Sequence, residues 1–307
     1  MDLRRFFESE AIVKDYIKYR PRYNDDVRNV ILDYMIEVTG KSPPFDLMVD
    51  LGCGSGQATN LMAPYFKKVL ASDISEKQIE MARAQNKFDH VTYSVGRAEE
   101  VDVEDHCVDL VLSAEAAQWF DLTRFFREVS RIIKGDGCLV IMGYIEPELT
   151  PVLSGQRRSD LADFATATLY KWINYGDKID TTMRNEMTSE YSNTYAKMPT
   201  SEKCTSHVNT VYPSLSLAQI KSLMRSSSDV DNYHKFKAQE ILAIKGSVSE
   251  EDMKSIDVTE CFEKEIKEKL GLDKLGDAQV VFEAAYRIFI RMAHKLSFMP
   301  DSEPGNN

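Results

Sequence analysis

Short apolar runs alternate with helical stripes through the first half of the chain. Residues 47–51, 68–72, 91–95, 108–113 and 138–142 are dense in Val, Leu, Ile and Ala, the pattern of strands covered on both faces. Between the first two runs, residues 57–65 read as a helix. A second helix starts after Ser75, where Ser75-x-x-Gln78 makes a capping-box pattern with Ile79 and Ala82 following at helical spacing. Leu122, Phe125, Phe126, Val129, Ile132 and Ile133 fall on a single apolar stripe. Strand and helix in alternation predict an α/β protein, with a mostly parallel sheet and helices on both faces.

Past residue 146 the pattern loosens into a stretch rich in Ser, Thr, Tyr and Met, with irregular apolar spacing up to about residue 247. That stretch reads as a partly helical, substrate-capping insertion. Helical periodicity returns over residues 257–270 and stops at Gly271. Residues 279–294 then offer two apolar runs suited to pair as antiparallel edge strands. The expected organisation is an N-terminal segment at 1–30, a core at 31–146, the insertion at 147–247, a C-terminal helix with edge strands at 248–298, and a disordered tail at 299–307.

Composition narrows the partners. The 307 residues are 43% hydrophobic, enough for a sizeable core, and the net charge of −11 opposes a phosphate backbone, so no nucleic acid is expected. Five cysteines without a C-x-x-C pair argue against a disulfide framework or a structural zinc site. The five histidines are scattered without metal-ligand spacing, so no metal is expected either. The N-terminus is charged throughout, and no stretch reaches the ~20 apolar residues of a membrane span. A cytoplasmic monomer or weak homodimer acting on a small molecule is the resulting expectation.

The chemistry concentrates in MVDLGCGSGQAT, residues 48–59. Glycines at a first strand-to-helix turn let the backbone approach an adenosine-bearing ligand. Here the spacing is G-x-G-x-G, and the third glycine of a dinucleotide fingerprint is replaced by Gln57. Asp50 before the loop would repel a pyrophosphate and welcome the amino group and sulfonium of S-adenosylmethionine. Asp73, about 20 residues past the loop, is placed to hydrogen-bond ribose hydroxyls. Residues 96–100, GRAEE, could meet adenine, and Trp119 and Phe120 could wall an acceptor pocket. Cys53 has no base or cation beside it in sequence and reads as a small loop residue. A nicotinamide-dependent oxidoreductase is the competing enzyme, disfavoured by Gln57 and by the lack of a Tyr-x-x-x-Lys pair near the fourth or fifth strand.

In this order and spacing, DLGCGSGQAT, SDIS, GRAEEV, DLVLSAEAAQWFD and FFREVSRIIKGDGCLVI resemble the successive motifs of class I S-adenosylmethionine-dependent methyltransferases over residues 45–145. YIKYRPRY, AEAAQWFD and LMRSSSDVDNY are similar to the trans-aconitate methyltransferase-like group. The resemblance implies a Rossmann-like, seven-stranded sheet with a capping insertion, and S-adenosylmethionine as cofactor. It implies Asp50, Gly52, Gly54 and Gly56 at the methionine end, Asp73 and Ile74 at the ribose, and Ala98 and Glu99 at the adenine. Ser113 and Ala114 would lie beside the cofactor. Tyr16, Arg20 and Tyr23 would belong to a lid, with Arg20 paired to the cofactor carboxylate. Tyr23, Gln118, Trp119, Phe120, Ser226 and Ser228 would face the acceptor. Gln118 stands where the group has His, and Ser227 where it has Trp.

Gln118 can orient an acceptor but cannot take its proton. A carboxylic acid, with pKa roughly 4, is already ionised near neutrality, and trans-aconitate-type enzymes make methyl esters. The resemblance therefore implies O-methylation of a small carboxylic acid, at a rate nearly flat from about pH 6.5 to 8.5. The departures at 118 and 227 also leave open a regulatory protein that binds the cofactor without turnover.

Overall fold

The computed structural model describes residues 22–173 and 182–297. Helix α1 (Asp25–Thr39) is capped by the Asn24 side chain, which accepts the Val27 N–H, and leads into strand β1 (Phe45–Leu51). Then come α2 (Gln57–Met62), β2 (Phe66–Asp73), α3 (Glu76–Gln85), β3 (Val91–Val95), β4 (Val108–Ala114), α4 (Leu122–Ile132) and β5 (Ile133–Tyr144). Each strand expected in this half is present; β3 has the expected bounds and the other four are longer. In β4 every residue but the last is buried, as a central strand covered on both faces requires. Helix α4 buries Phe125, Phe126, Val129 and Ile132, and the Asp121 carboxylate accepts the Arg124 N–H to start it.

Five strands pair in parallel in the order β3-β2-β1-β4-β5. The later half departs from expectation. Residues 147–247 supply β6 (Glu148–Leu153), β7 (Gln156–Arg157) and β8 (Lys203–Ser216) to the sheet, along with helices α5 (Ala162–Ile173), α6 (Thr182–Thr188), α7 (Ser192–Lys197), α8 (Leu217–Arg225) and α9 (Ser228–Lys245). The segment is therefore not only a cap. Helices α10 (Glu250–Ile256) and α11 (Val258–Leu270) follow, with Gly271 closing α11 in the left-handed conformation, as its position in the sequence indicates.

Residues 279–294 form one long strand, β9 (Val281–His294), rather than two edge runs, and it lies inside the sheet. One side pairs with β5 and, end to end with it, β6; the other carries β8 from Lys203↔Ala293 to Ser216↔Val281. The sheet thus has nine strands among the described residues, where seven were expected. Strand β8 was illegible because its inward positions include Cys204, Ser206 and Thr210, small or polar groups that give no apolar alternation. Pairing with β9 makes it a strand. No helix among the described residues is long and apolar enough to cross a membrane.

Candidate functional site

At the carboxyl ends of β1, β2 and β4 a cleft opens around the glycine loop, enclosing about 1080 Å³ of empty space with its mouth included. In an open parallel sheet that is where a ligand sits. The loop forms its floor. Gly52, Gly54 and Gly56 all have positive φ, of 71°, 53° and 83°. A Cβ on Gly52 would lie 2.4 Å from the Ala116 Cβ, so that glycine is needed for packing; a Cβ on Gly54 would meet only the Gln78 Oε1, at 3.9 Å. Gly54 therefore leaves open a cradle on the cleft side, the space a ligand would fill.

Asp73 ends β2 and ties this floor together. Its Oδ2 accepts the Gly54 N–H at 2.9 Å and its Oδ1 accepts the Ser75 N–H at 2.8 Å. Burial pushes its carboxyl above the usual range, and these backbone N–H groups draw it back. The same contacts rearrange the expected capping box. The Ser75 hydroxyl accepts the Gln78 N–H at 3.3 Å, but the Ser75 N–H goes to Asp73 instead of to the Gln78 side chain. The Gln78 amide is released toward the cleft, where its Oε1 is buried without a hydrogen-bond partner.

Ile74, Ala98, Glu99, Ala114, Trp119, Phe120 and Tyr23 all line the cleft. Phe120 also packs on Phe125, ring centroids 5.0 Å apart, so it serves core and wall together. The Glu99 carboxylate accepts the Asp121 N–H at 3.0 Å and lies 3.5 Å from the Arg97 guanidinium. The lining residues that were missed include Gln78, hidden in the sequence as a helix cap; Tyr144, at the end of β5; and Glu115, whose Oε1 accepts the Tyr144 N–H at 2.6 Å. Asp73, Glu99 and Glu115 face Arg97 as the single cation of the described lining, a balance that favours a cationic ligand over a pyrophosphate.

Other expectations are corrected. Gly56 does not line the cleft; a Cβ there would stand 2.5 Å from the Tyr93 hydroxyl oxygen, so that glycine is needed for packing. Asp50 does not line the cleft; it is fully buried beneath the loop, where its Oδ2 accepts the Thr59 hydroxyl at 2.5 Å and its Oδ1 has no partner. Burial, with the nearby Asp73 charge, pushes its carboxyl up to about 7 against the opposing Thr59 hydrogen bond. Ser113 is wholly buried behind the wall, with its hydroxyl unpartnered. Gln118 does not line the cleft either: its amide donates to the Glu115 carbonyl at 3.1 Å and its Oε1 accepts the Tyr191 hydroxyl. Ser226 closes α8, its hydroxyl donating to the Leu223 carbonyl at 2.6 Å, and Ser227 is buried beside it. Ser228 opens α9, its side chain outside the described residues. Tyr16 and Arg20 lie outside them too. Arg22 is described, and its N–H donates to the Tyr212 hydroxyl at 2.5 Å. Cys53 is on the floor, and burial with the Asp50 and Asp73 charges pushes its thiol up, so it stays neutral, as expected for a packing residue. Among the described residues no cluster of potential metal ligands is found.

Residues 49–141 match the family model of the methyltransferase domain. A Dictyostelium discoideum protein bearing a methyltransferase name is 40% identical over 134 residues, 44% of this chain and 48% of its own length. A Saccharomyces cerevisiae protein named as an S-adenosylmethionine-dependent methyltransferase is 35% identical over 141 residues, 43% of this chain and 45% of its own. The matched regions thus span about half the length of these relatives. A solved structure from Anaeromyxobacter dehalogenans, described as a type II methyltransferase, superposes with a TM-score of 0.60 at 21% identity, covering 91% of this chain and all of that one; at that identity the likeness is one of fold. The glycine loop, the cleft at the strand ends and these relatives agree: residues 49–141 are a class I S-adenosylmethionine-dependent methyltransferase domain.

Proposed function

We propose that this chain transfers the methyl group of S-adenosylmethionine to a small carboxylic acid. The observation that carries the cofactor assignment is the floor of the cleft, an open cradle over Gly54 whose backbone N–H is held by Asp73. The bound cofactor supplies an electrophilic methyl carbon on a sulfonium. The chain's own task is to align that carbon with an acceptor and keep water out. Each Asp73 oxygen has lone-pair capacity beyond its backbone partner, available to ribose hydroxyls. Ile74, Ala98 and Phe120 offer apolar surface to the adenine, while Tyr23, Trp119 and Tyr144 wall the remainder.

Two groups that had supported a carboxylate acceptor, Gln118 and Ser226, are engaged elsewhere. What supports it now is that the described lining holds neither histidine nor lysine to take a proton, while Asp73, Glu99 and Glu115 each accept a backbone N–H. An acceptor ionised beforehand needs no such base. A metabolite panel assayed for S-adenosylhomocysteine release identifies the acceptor, and mild alkaline hydrolysis of the methylated product tests the class. Release of the methyl group as methanol is expected from an ester. A methyl that survives base belongs to an ether, amine or thioether and overturns the carboxylate reading; cofactor binding with no release across the panel favours the regulatory alternative.

The same reading gives the unpartnered Gln78 amide oxygen, which lines the cleft, to the cofactor. Gln78→Met keeps the length of the side chain and removes a buried acceptor that has no partner in the fold. Binding of S-adenosylhomocysteine is expected to weaken about 5- to 10-fold, roughly 1 to 1.4 kcal/mol, with thermal stability unchanged or raised. Calorimetry alongside a melting curve checks this, and equal affinity in the two proteins would remove Gln78 from the site.

A further inference from the structure

Gln118 is tied from outside the cleft by a residue far along the chain. Tyr191 lies between α6 and α7 and is wholly buried, with its ring edge-on to Phe289 at 5.2 Å and its hydroxyl donating to Gln118 Oε1. Gln118 belongs to the turn at Ala117–Trp119 that follows β4, and its amide donates to the Glu115 carbonyl. That turn supplies Glu115, Ala116, Trp119 and Phe120 to the cleft. Its start is held in a left-handed conformation at Glu115, φ 58°, which a non-glycine residue keeps only under outside constraint.

The corner that presents Tyr191 is itself constrained. Glu190 and Tyr191 both have positive φ, 54° and 57°. From β9 the Arg291 Nε donates to the Glu190 carbonyl at 2.8 Å and its terminal nitrogen reaches the Glu190 carboxylate at 2.8 Å. His207 of β8 meets that carboxylate at 2.8 Å, and Arg287 stands 3.3 Å from it. Two consecutive left-handed residues clamped by two strands fix where the Tyr191 hydroxyl stands.

We propose that Tyr191 is a positioning residue for the acceptor wall: by holding Gln118 from behind, it fixes the turn that presents Trp119 and Phe120 to the cleft. This rests on the reading of the cleft as the methyl-transfer site. It gives Gln118 a part in building the acceptor's wall instead of touching the acceptor. It also makes residues 182–198 a determinant of acceptor choice without lining the cleft.

The test uses Trp119 as its own reporter. The chain has two tryptophans, so Trp172→Phe in α5 leaves Trp119 emission alone. In that background Tyr191→Phe keeps the ring and removes the hydroxyl, stranding the Gln118 carbonyl. With saturating S-adenosylhomocysteine, at a temperature where both proteins are fully folded, acrylamide quenching of Trp119 is expected to rise about two-fold while cofactor affinity stays within about three-fold. Ile266→Val in α11, a core trim remote from the cleft, controls for lost stability and should leave the quenching constant unchanged. Equal quenching in the Tyr191→Phe protein and its parent, or an equal rise in the Ile266→Val control, overturns the proposal. Failure of the parent protein to bind S-adenosylhomocysteine by calorimetry overturns the reading of the cleft instead, and is seen before any variant is compared.

Discussion

Alanine at Gly52 and alanine at Gly54 are expected to fail in opposite ways. At Gly52 the new Cβ would stand 2.4 Å from the Ala116 Cβ and 3.2 Å from the Phe120 ring. Ala116 has no flexible end to swing aside, so the backbone of the turn after β4 must retreat and take the wall with it. Overpacking combined with a left-handed alanine should cost about 2 to 5 kcal/mol of stability, visible as a drop in melting temperature, with cofactor binding lost as well. At Gly54 the neighbourhood is open, so the fold loses only about 1 to 2 kcal/mol from the strained φ. The added methyl instead projects into the cradle, and S-adenosylhomocysteine binding should weaken by about 100-fold or more, near 2.7 kcal/mol. A Gly54→Ala protein that binds as well as wild type would show that the ligand does not approach this floor.

Asp50 should make the protein less stable as pH rises. Its carboxyl is raised in the folded state from 3.8 to about 7, so between those values the native state holds a proton that the unfolded chain has released. Native-state protonation is favourable below about pH 4, and its contribution is lost progressively up to about pH 7. At 1.36 kcal/mol per unit, a rise from 3.8 to about 7 sets a ceiling of about 4 kcal/mol. Asp50→Asn mimics the protonated acid at every pH. It should match wild type near pH 4 and exceed it by about 2 kcal/mol or more at pH 8. Denaturant melts of both proteins across that range measure the difference; a constant gap would mean that Asp50 does not titrate there. Ionised Asp50 also adds negative charge under the cationic cofactor, so S-adenosylmethionine should bind more tightly above pH 7 than below it in wild type, but not in Asp50→Asn. The expected flat rate between about pH 6.5 and 8.5 then holds only at saturating cofactor.

The sequence was most informative where burial is two-sided. Strands β1 to β5 and helices α3 and α4 were legible because apolar runs and helical stripes carry their own period. Strand β9 was read as two runs because Arg287 and Arg291 interrupt it; Arg291 is nonetheless buried, held by Glu190. In the site, backbone geometry was easier to anticipate than side-chain direction. Gly52, Gly54 and Gly56 all have positive φ in the turn after the first strand, whereas Gln118 and Ser226 have partners supplied from elsewhere in the fold or from the preceding turn, which motif position alone does not reveal. Gln78 was hidden for the converse reason. A local rule assigned its amide to Ser75, and Asp73 took that role.

Strand β9 joins partners that are remote along the chain: Cys138 pairs with His294, and Lys203 with Ala293. Until it docks, β5 has an unpaired edge and β8 has no ladder at all. The parallel half, built from neighbours in sequence, can form early, while the rest must wait for a closure of high contact order. During that interval the open β5 edge, buried and apolar in the finished sheet, is the surface most exposed to pairing with another chain. Folding yield should therefore depend more on how fast β9 arrives than on the local strength of any helix.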